Sequence, residues 1–124
     1  MASFQKLSNL ICILDYNKYQ LSGSTKEILD MEPVADKWRA FGWEAKEIDG
    51  HNLKEIVEAV EWAQGAVSSP RMIIAHTIKG KGVSFMENNN NFHGVANTKD
   101  ETACALKELG ENEAEINRIA GMIK

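Results

Sequence analysis

The sequence predicts an α/β fold: a parallel sheet of three strands with flanking helices, followed by two further helices that lead into no strand. Two observations carry this. Apolar runs at Leu10–Leu14 and Met72–Ala75 are nearly continuous, as in strands buried on both faces of a parallel sheet. Between them, segments of helical period alternate with a third, more alternating run. The resulting strand–helix–strand–helix–strand order calls for βαβ units with right-handed crossovers.

Each element has its own signals. Ser3 to Leu7 resembles the tail of a helix rather than the start of a domain, and with so small a sheet it points to a partial domain. The first strand is Leu10-Ile11-Cys12-Ile13-Leu14. Pro33 suits the first turn of a helix that stops before Gly42, with Val34, Trp38 and Phe41 on one face. The second strand is Trp43 to Ile48. Asn52 is placed to cap a helix whose Leu53, Ile56, Val57 and Val60 recur at helical spacing, and Gly65 and Pro70 bracket its exit. Arg71 to His76 is the third strand. Thr98 and Glu101 form a capping-box pattern before a helix that Gly110 ends, and the last helix sets Ile116, Ile119, Ala120 and Ile123 on one stripe. The tract Asn88 to Asn91 is expected to be an exposed loop.

Composition narrows the function. The chain has 124 residues, enough for one domain, and its 44% hydrophobic and 26% charged residues are ordinary globular proportions. A net charge of -4 with no basic stripe disfavours nucleic acid. No apolar run approaches the roughly 18 residues of a membrane helix, and no signal-peptide pattern opens the sequence. Cys12 and Cys104 have no metal-ligand spacing and make no disulfide framework. The expected setting is a reducing one, the cytoplasm.

Two segments are placed for chemistry. Asp15 and Asn17 follow the first strand, where open α/β sheets bind ligands, and they offer hard oxygen donors suited to Mg²⁺. A plain polar turn satisfies the same pattern. The second segment runs from Thr77 to Gly94. Gly80 and Gly82 permit close backbone approach to a ligand, Lys79 and Lys81 offset anionic charge, and His93 is suited to hold an anion or move a proton. A solvated glycine-bearing loop is the alternative. His51 and His76 are weaker candidates, and Trp38, Trp43 and Trp62 are expected in the core.

In order along the chain, Asn9-Leu10 and Ile11 to Gln20, Ala35 to Trp43, Glu47 to His51, and Thr77 to Asn88 with Phe92-His93-Gly94 resemble the thiamine-diphosphate-binding section of transketolases. The resemblance spans nearly all of residues 1–124 and implies one partial thiamine-diphosphate-binding domain, its diphosphate side, with 98–124 as a helical extension. It implies that Asn17 supplies a side chain and Tyr19 a backbone carbonyl to a divalent metal, Mg²⁺ or Ca²⁺. Ile78, Lys79 and Gly80 would lie beside the thiamine diphosphate, and His93 would contact its diphosphate near the reacting carbon. The implied reaction moves a two-carbon ketol unit between sugar phosphates of the pentose phosphate pathway.

The family's Gly-Asp-Gly triplet, whose Asp is a metal ligand, is absent here. So are its upstream substrate-channel histidines and the pyrimidine-binding domain with its cofactor-activating glutamate. The resemblance therefore implies a fragment or split component, inactive alone, that works with complementing chains carrying the upstream half and the pyrimidine-binding subunit. Among the assemblies expected is a homodimer. A non-catalytic α/β interaction module or remnant derived from such an enzyme is the alternative. An unpaired sheet edge is expected beside Leu10–Leu14.

Overall fold

The computed structural model describes residues 1–123. Its elements, in chain order, are β1 (Ile11–Tyr16), β2 (Tyr19–Gln20), β3 (Gly23–Ser24), α1 (Thr25–Ile28), α2 (Val34–Ala40), β4 (Glu44–Asp49), α3 (Leu53–Gln64), β5 (Arg71–His76), a 3-10 turn (Asn90–Phe92), α4 (Lys99–Glu108) and α5 (Glu113–Ala120). They form two compact units. The first comprises Met1–Lys18 and Thr25–Thr77; the second comprises Tyr19–Ser24 and the chain from Ile78 onward.

The first unit is built on β5. Its order is β1-β5-β4, with both pairings parallel. Met72, Ile73, Ile74 and Ala75 are all buried, so both faces of this strand are covered, as its continuous apolar run predicts. Side chains alternate across the strand. Met72 and Ile74 pack with Tyr16, Val34 and Ala35 on the α2 side, where Trp38 and Trp43 meet edge to face at 5.0 Å. Ile73 and Ala75 pack with Ile48, Ala59 and Ala63 on the α3 side.

The caps follow the sequence. The Asn52 side chain accepts from the amides of Lys54 and Glu55, and Pro33 and Gly65 flank their helices as expected. Other expectations need correction. β1 lies at the sheet edge and is not buried on both faces: Ile13 is 64% exposed. Its apolar run gives the strand but not the cover. On α3 the buried stripe runs through Ile56, Ala59, Val60 and Ala63, while Leu53 and Val57 are exposed, because alanines at 59 and 63 let the helix approach the sheet closely. Phe41, expected on the buried face of α2, is exposed as well. Residues 2–6 form turns that end at Lys6, whose φ is 54°, and no regular helix is assigned there.

The second unit holds the antiparallel β2–β3 pair, the loop from Ile78 to Gly94, and α4 with α5. Thr98 and Glu101 make the predicted capping box. The Ser84 hydroxyl donates to Glu108 at 2.8 Å, tying the loop to α4. The asparagine tract lies in a loop as expected, with Asn88 and Asn91 exposed, and the side chains of Asn89 and Asn90 bind back to the chain. Asn89 caps the 3-10 turn and donates to the Phe85 carbonyl at 3.0 Å, and Asn90 donates to the Leu21 carbonyl at 3.0 Å.

The difference between β5 and β1 is measurable. Ile74→Ala, at a site with no exposure, should cost about 2–5 kcal/mol in urea unfolding. Ile13→Ala should stay within about 1 kcal/mol of the parent chain. Equal costs would contradict β1 as an open edge.

Candidate functional site

β1 and β5 are paired in register so that Tyr16 lies opposite His76 at their carboxyl ends. The chain leaves β1 through Asn17 and Lys18. Asn17, the expected metal ligand, is half-buried and engaged with the rest of the protein. Asp15 is exposed, and its carboxylate accepts a hydrogen bond from the Thr77 hydroxyl, which commits one oxygen of the other expected donor.

Lys18 is the conformational outlier of this turn, with φ at 68°. A left-handed conformation costs a non-glycine residue roughly 1–2 kcal/mol, so neighbouring contacts must hold it. Its carbonyl accepts from the Thr25 amide at 2.8 Å and from the Thr25 hydroxyl at 3.2 Å. Its ammonium lies 3.3 Å from the Tyr16 ring centroid, 3.2 Å from His76 Nδ1 and 3.5 Å from Glu32 Oε1.

An ammonium only donates, so His76 presents the lone pair of Nδ1 to Lys18 and carries its proton on Nε2. That N–H donates to Glu47 at 2.7 Å. The polar chain Glu32–Lys18–His76–Glu47, with Tyr16 beneath it, thus crosses the carboxyl ends of all three strands. It answers where His76 points: at Lys18 and Glu47, as a satisfied side chain. Each ionic contact here is half exposed and worth about 0–1 kcal/mol, so the set orients residues more than it stabilises the fold.

The Tyr16 hydroxyl donates to Glu32 at 2.8 Å. Burial of the ring, and then the bonded Glu32 carboxylate, push the phenol up to about 12. Glu32 is held below its ordinary value, first by the Tyr16 hydroxyl and then by the Val34 amide.

In the second unit the structure brings together three of the expected segments. Lys79 Nζ donates to the Phe92 carbonyl at 3.4 Å, so the turn at Ile78, Lys79 and Gly80 is fastened to the residue before His93. Asn90 reaches from that turn to Leu21 in the hairpin that contains Tyr19. Phe85 and Phe92 meet edge to face at 5.6 Å beneath the loop. His93 is exposed, with its amide donating to Asn90 at 3.0 Å.

The glycines of the loop have packing reasons of their own. Gly80 has φ of 75°, and a Cβ there would sit 2.5 Å from the Met86 carbonyl oxygen. The loop's own backbone at Met86 therefore requires glycine here. At Gly82 a Cβ would come 3.1 Å from Leu109, again a packing constraint. Lys81 lies 3.8 Å from Glu87, which offsets its charge. Gly94, with φ of 88°, has open space around it.

The network at Lys18, Glu32 and Glu47 was not legible in the sequence, since nothing in the spacing ties Glu32 to a turn before α1. The only signal at Asn90 was its place in the asparagine tract. Among the described residues, no group of three or more His, Cys, Asp or Glu side chains is placed to hold a metal ion. His51 is exposed in the turn before α3, where its amide donates to Asp49 at 2.9 Å.

The sequence model described as the transketolase thiamine diphosphate binding domain matches residues 1–121. The chain belongs to this transketolase family. Over 113 residues it is 48% identical to a 6-deoxy-6-sulfo-D-fructose transketolase subunit of Clostridium sp. (strain MSTE9), covering 91% of this chain and 41% of that one. Over 108 residues it is 43% identical to one of the subunits of an apulose-4-phosphate transketolase from Actinobacillus succinogenes, covering 87% and 39%. It thus spans about two fifths of the length of these relatives. The crystal structure of transketolase from Campylobacter jejuni superposes with a TM-score of 0.81 at 29% identity, over 94% of this chain and 20% of that one. The family's α/β architecture is therefore present in both its sequence and its three-strand parallel sheet. No helix among the described residues is long and apolar enough to cross a membrane.

The phenol gives a direct reading of the Tyr16–Glu32 contact. Tyr16 and Tyr19 are the two tyrosines, so a Tyr19→Phe chain isolates Tyr16. Its ultraviolet titration should fall near 12, and Glu32→Gln should lower it. The sign for stability follows: the folded state favours the neutral phenol, so the contribution is complete below pH 10.0 and is lost as pH rises toward about 12. A titration at 10.0 unaffected by Glu32→Gln would contradict the contact.

Proposed function

We propose that this chain is the diphosphate-side section of a transketolase, one partial domain with 98–124 as its helical extension. With complementing polypeptides it transfers a two-carbon ketol unit from an anionic ketose to an aldose phosphate. The observation that carries this reading is the family match across residues 1–121. Relatives named as transketolase subunits, of sulfofructose and of apulose-4-phosphate, support both a complementing chain and a substrate with an anionic end. A homodimer of such pairs is one assembly compatible with this reading.

The cofactor reading is thiamine diphosphate with Mg²⁺ or Ca²⁺. Hard oxygen donors suit either cation, and Asn17 Oδ1 with the Tyr19 carbonyl would contribute two ligands. They fit a shared site and not a self-sufficient one, because no cluster of ionisable side chains among the described residues completes it. Phosphate, water and a carboxylate from a complementing chain would supply the rest. When bound, thiamine diphosphate supplies the carbanion chemistry of the transfer.

The protein's part is placement. His93 would donate a hydrogen bond to the diphosphate and hold or move a proton at its imidazole near the substrate carbonyl. Its exposed position at the end of an ordered turn, fixed by Asn90, Phe92 and Lys79, supports that role. Ile78, Lys79 and Gly80 would shape the wall beside the cofactor. Gly80 does so by letting the turn close on Met86.

The test is transfer activity in the chain mixed with its complementing polypeptides, thiamine diphosphate and Mg²⁺. The mixture should turn over and the chain alone should not. His93→Ala should lower kcat by about 10²-fold with its thermal midpoint retained. Turnover by the chain alone, or full activity of His93→Ala, would contradict the reading.

A further inference from the structure

The turn that carries Asn17 is held in an unfavourable conformation by contacts that do little for stability. Lys18 keeps a φ of 68° although any glycine would adopt it more readily. Its carbonyl is clamped twice by Thr25 and its ammonium is aimed back over the Tyr16 ring, between Glu32 and His76. Strained residues persist where the surroundings over-determine them, and such over-determination is characteristic of positions that must present a neighbour accurately.

The polar partners are also poorly explained by packing. Glu32, Lys18, His76 and Glu47 have side chains 38–51% exposed; Glu32 satisfies the hydroxyl of the buried Tyr16, while the Lys18, His76 and Glu47 contacts join half-exposed groups to one another. They come from a loop, from the turn after β1, from β5 and from β4: Glu32 and His76 meet at the Lys18 ammonium, and Glu47 joins through His76. A network of exposed groups that crosses three strand ends and ends at the residue following Asn17 is suited to fix a direction.

We infer that Lys18 is a positioning residue for the divalent cation: its left-handed backbone, anchored by Glu32, His76 and the Tyr16 ring, sets the direction in which Asn17 is presented. The inference rests on the reading of Asn17 as a metal ligand. Removing a group that orients a ligand lowers metal affinity by about 10-fold or more without necessarily touching the fold. Lys18 itself does not touch cation or substrate in this account.

Two measurements test it. Hydrogen exchange on the isolated chain reports the Thr25 amide, which donates to the Lys18 carbonyl. Lys18→Ala should speed exchange there, while Lys54→Ala, whose side chain pairs with Glu58 on the surface of α3, should not. In the complemented enzyme, Lys18→Ala should raise the Mg²⁺ concentration for half-maximal thiamine diphosphate binding by about 10-fold, with kcat at saturating Mg²⁺ near wild type. Lys18→Arg, which keeps the charge over the ring, should recover most of the loss. An unchanged Mg²⁺ requirement in Lys18→Ala, in a wild-type complex that binds the cofactor, would overturn the positioning role and leave the transketolase reading intact. Absence of Mg²⁺-dependent cofactor binding in the wild-type complex would overturn both, whatever the exchange result. Unaltered exchange at Thr25 in Lys18→Ala would remove the proposed anchor on its own.

Discussion

β5 is the strand on which the first unit depends. Its four central residues are buried on two faces at once, so α2, α3, β1 and β4 all take their positions from it. Parallel register then carries the consequence to the strand ends. Tyr16, His76 and Asp49 are aligned because Cys12, Met72 and Ala45 are. A one-residue slip would turn Ile73 and Ala75 onto the α2 side and take His76 away from Lys18 and Glu47. The polar chain across the strand ends is thus a product of the same burial that makes the core.

The second unit obeys a different constraint. Its long loop has no sheet to align it, and it is ordered by local contacts of modest strength: the asparagine side chains, the Phe85–Phe92 pair, the Lys79 link to Phe92 and the Ser84 link to Glu108. Gly80 is required because backbone closes on backbone at Met86. The loop presents an exposed histidine at its end, with the chain's apolar and amide groups committed to holding that end still. Each unit therefore devotes polar side chains to fixing the direction of a turn or of a loop end.

Much of this was legible in the sequence for physical reasons that can be named. Burial on two faces leaves a continuous apolar run, so β5 was found with its bounds. Helix capping is local, so Asn52, Pro33 and the Thr98–Glu101 box stand where their residue types place them. β1 shows the limit: Cys12 and Ile13 make a strand whether or not the outer face is covered, and the exposure of Ile13 depends on which strand neighbours it. The alanines that seat α3 carry a weak hydrophobic signal, so the larger Leu53 and Val57 drew the stripe to the wrong side. Asn17, Tyr19 and His93 were singled out by their order along the chain alone. The grip on Lys18 joins residues up to 58 positions apart in sequence and depends on a positive φ in a lysine, which no local pattern announces.

The central claim is that this chain holds part of a thiamine diphosphate site and not a whole one. Isothermal calorimetry of thiamine diphosphate with Mg²⁺ tests it most directly, first against the isolated chain and then against the chain with its complementing polypeptides. The account predicts no measurable heat of specific binding in the first titration and saturable binding in the second. Micromolar binding by the isolated chain would contradict it.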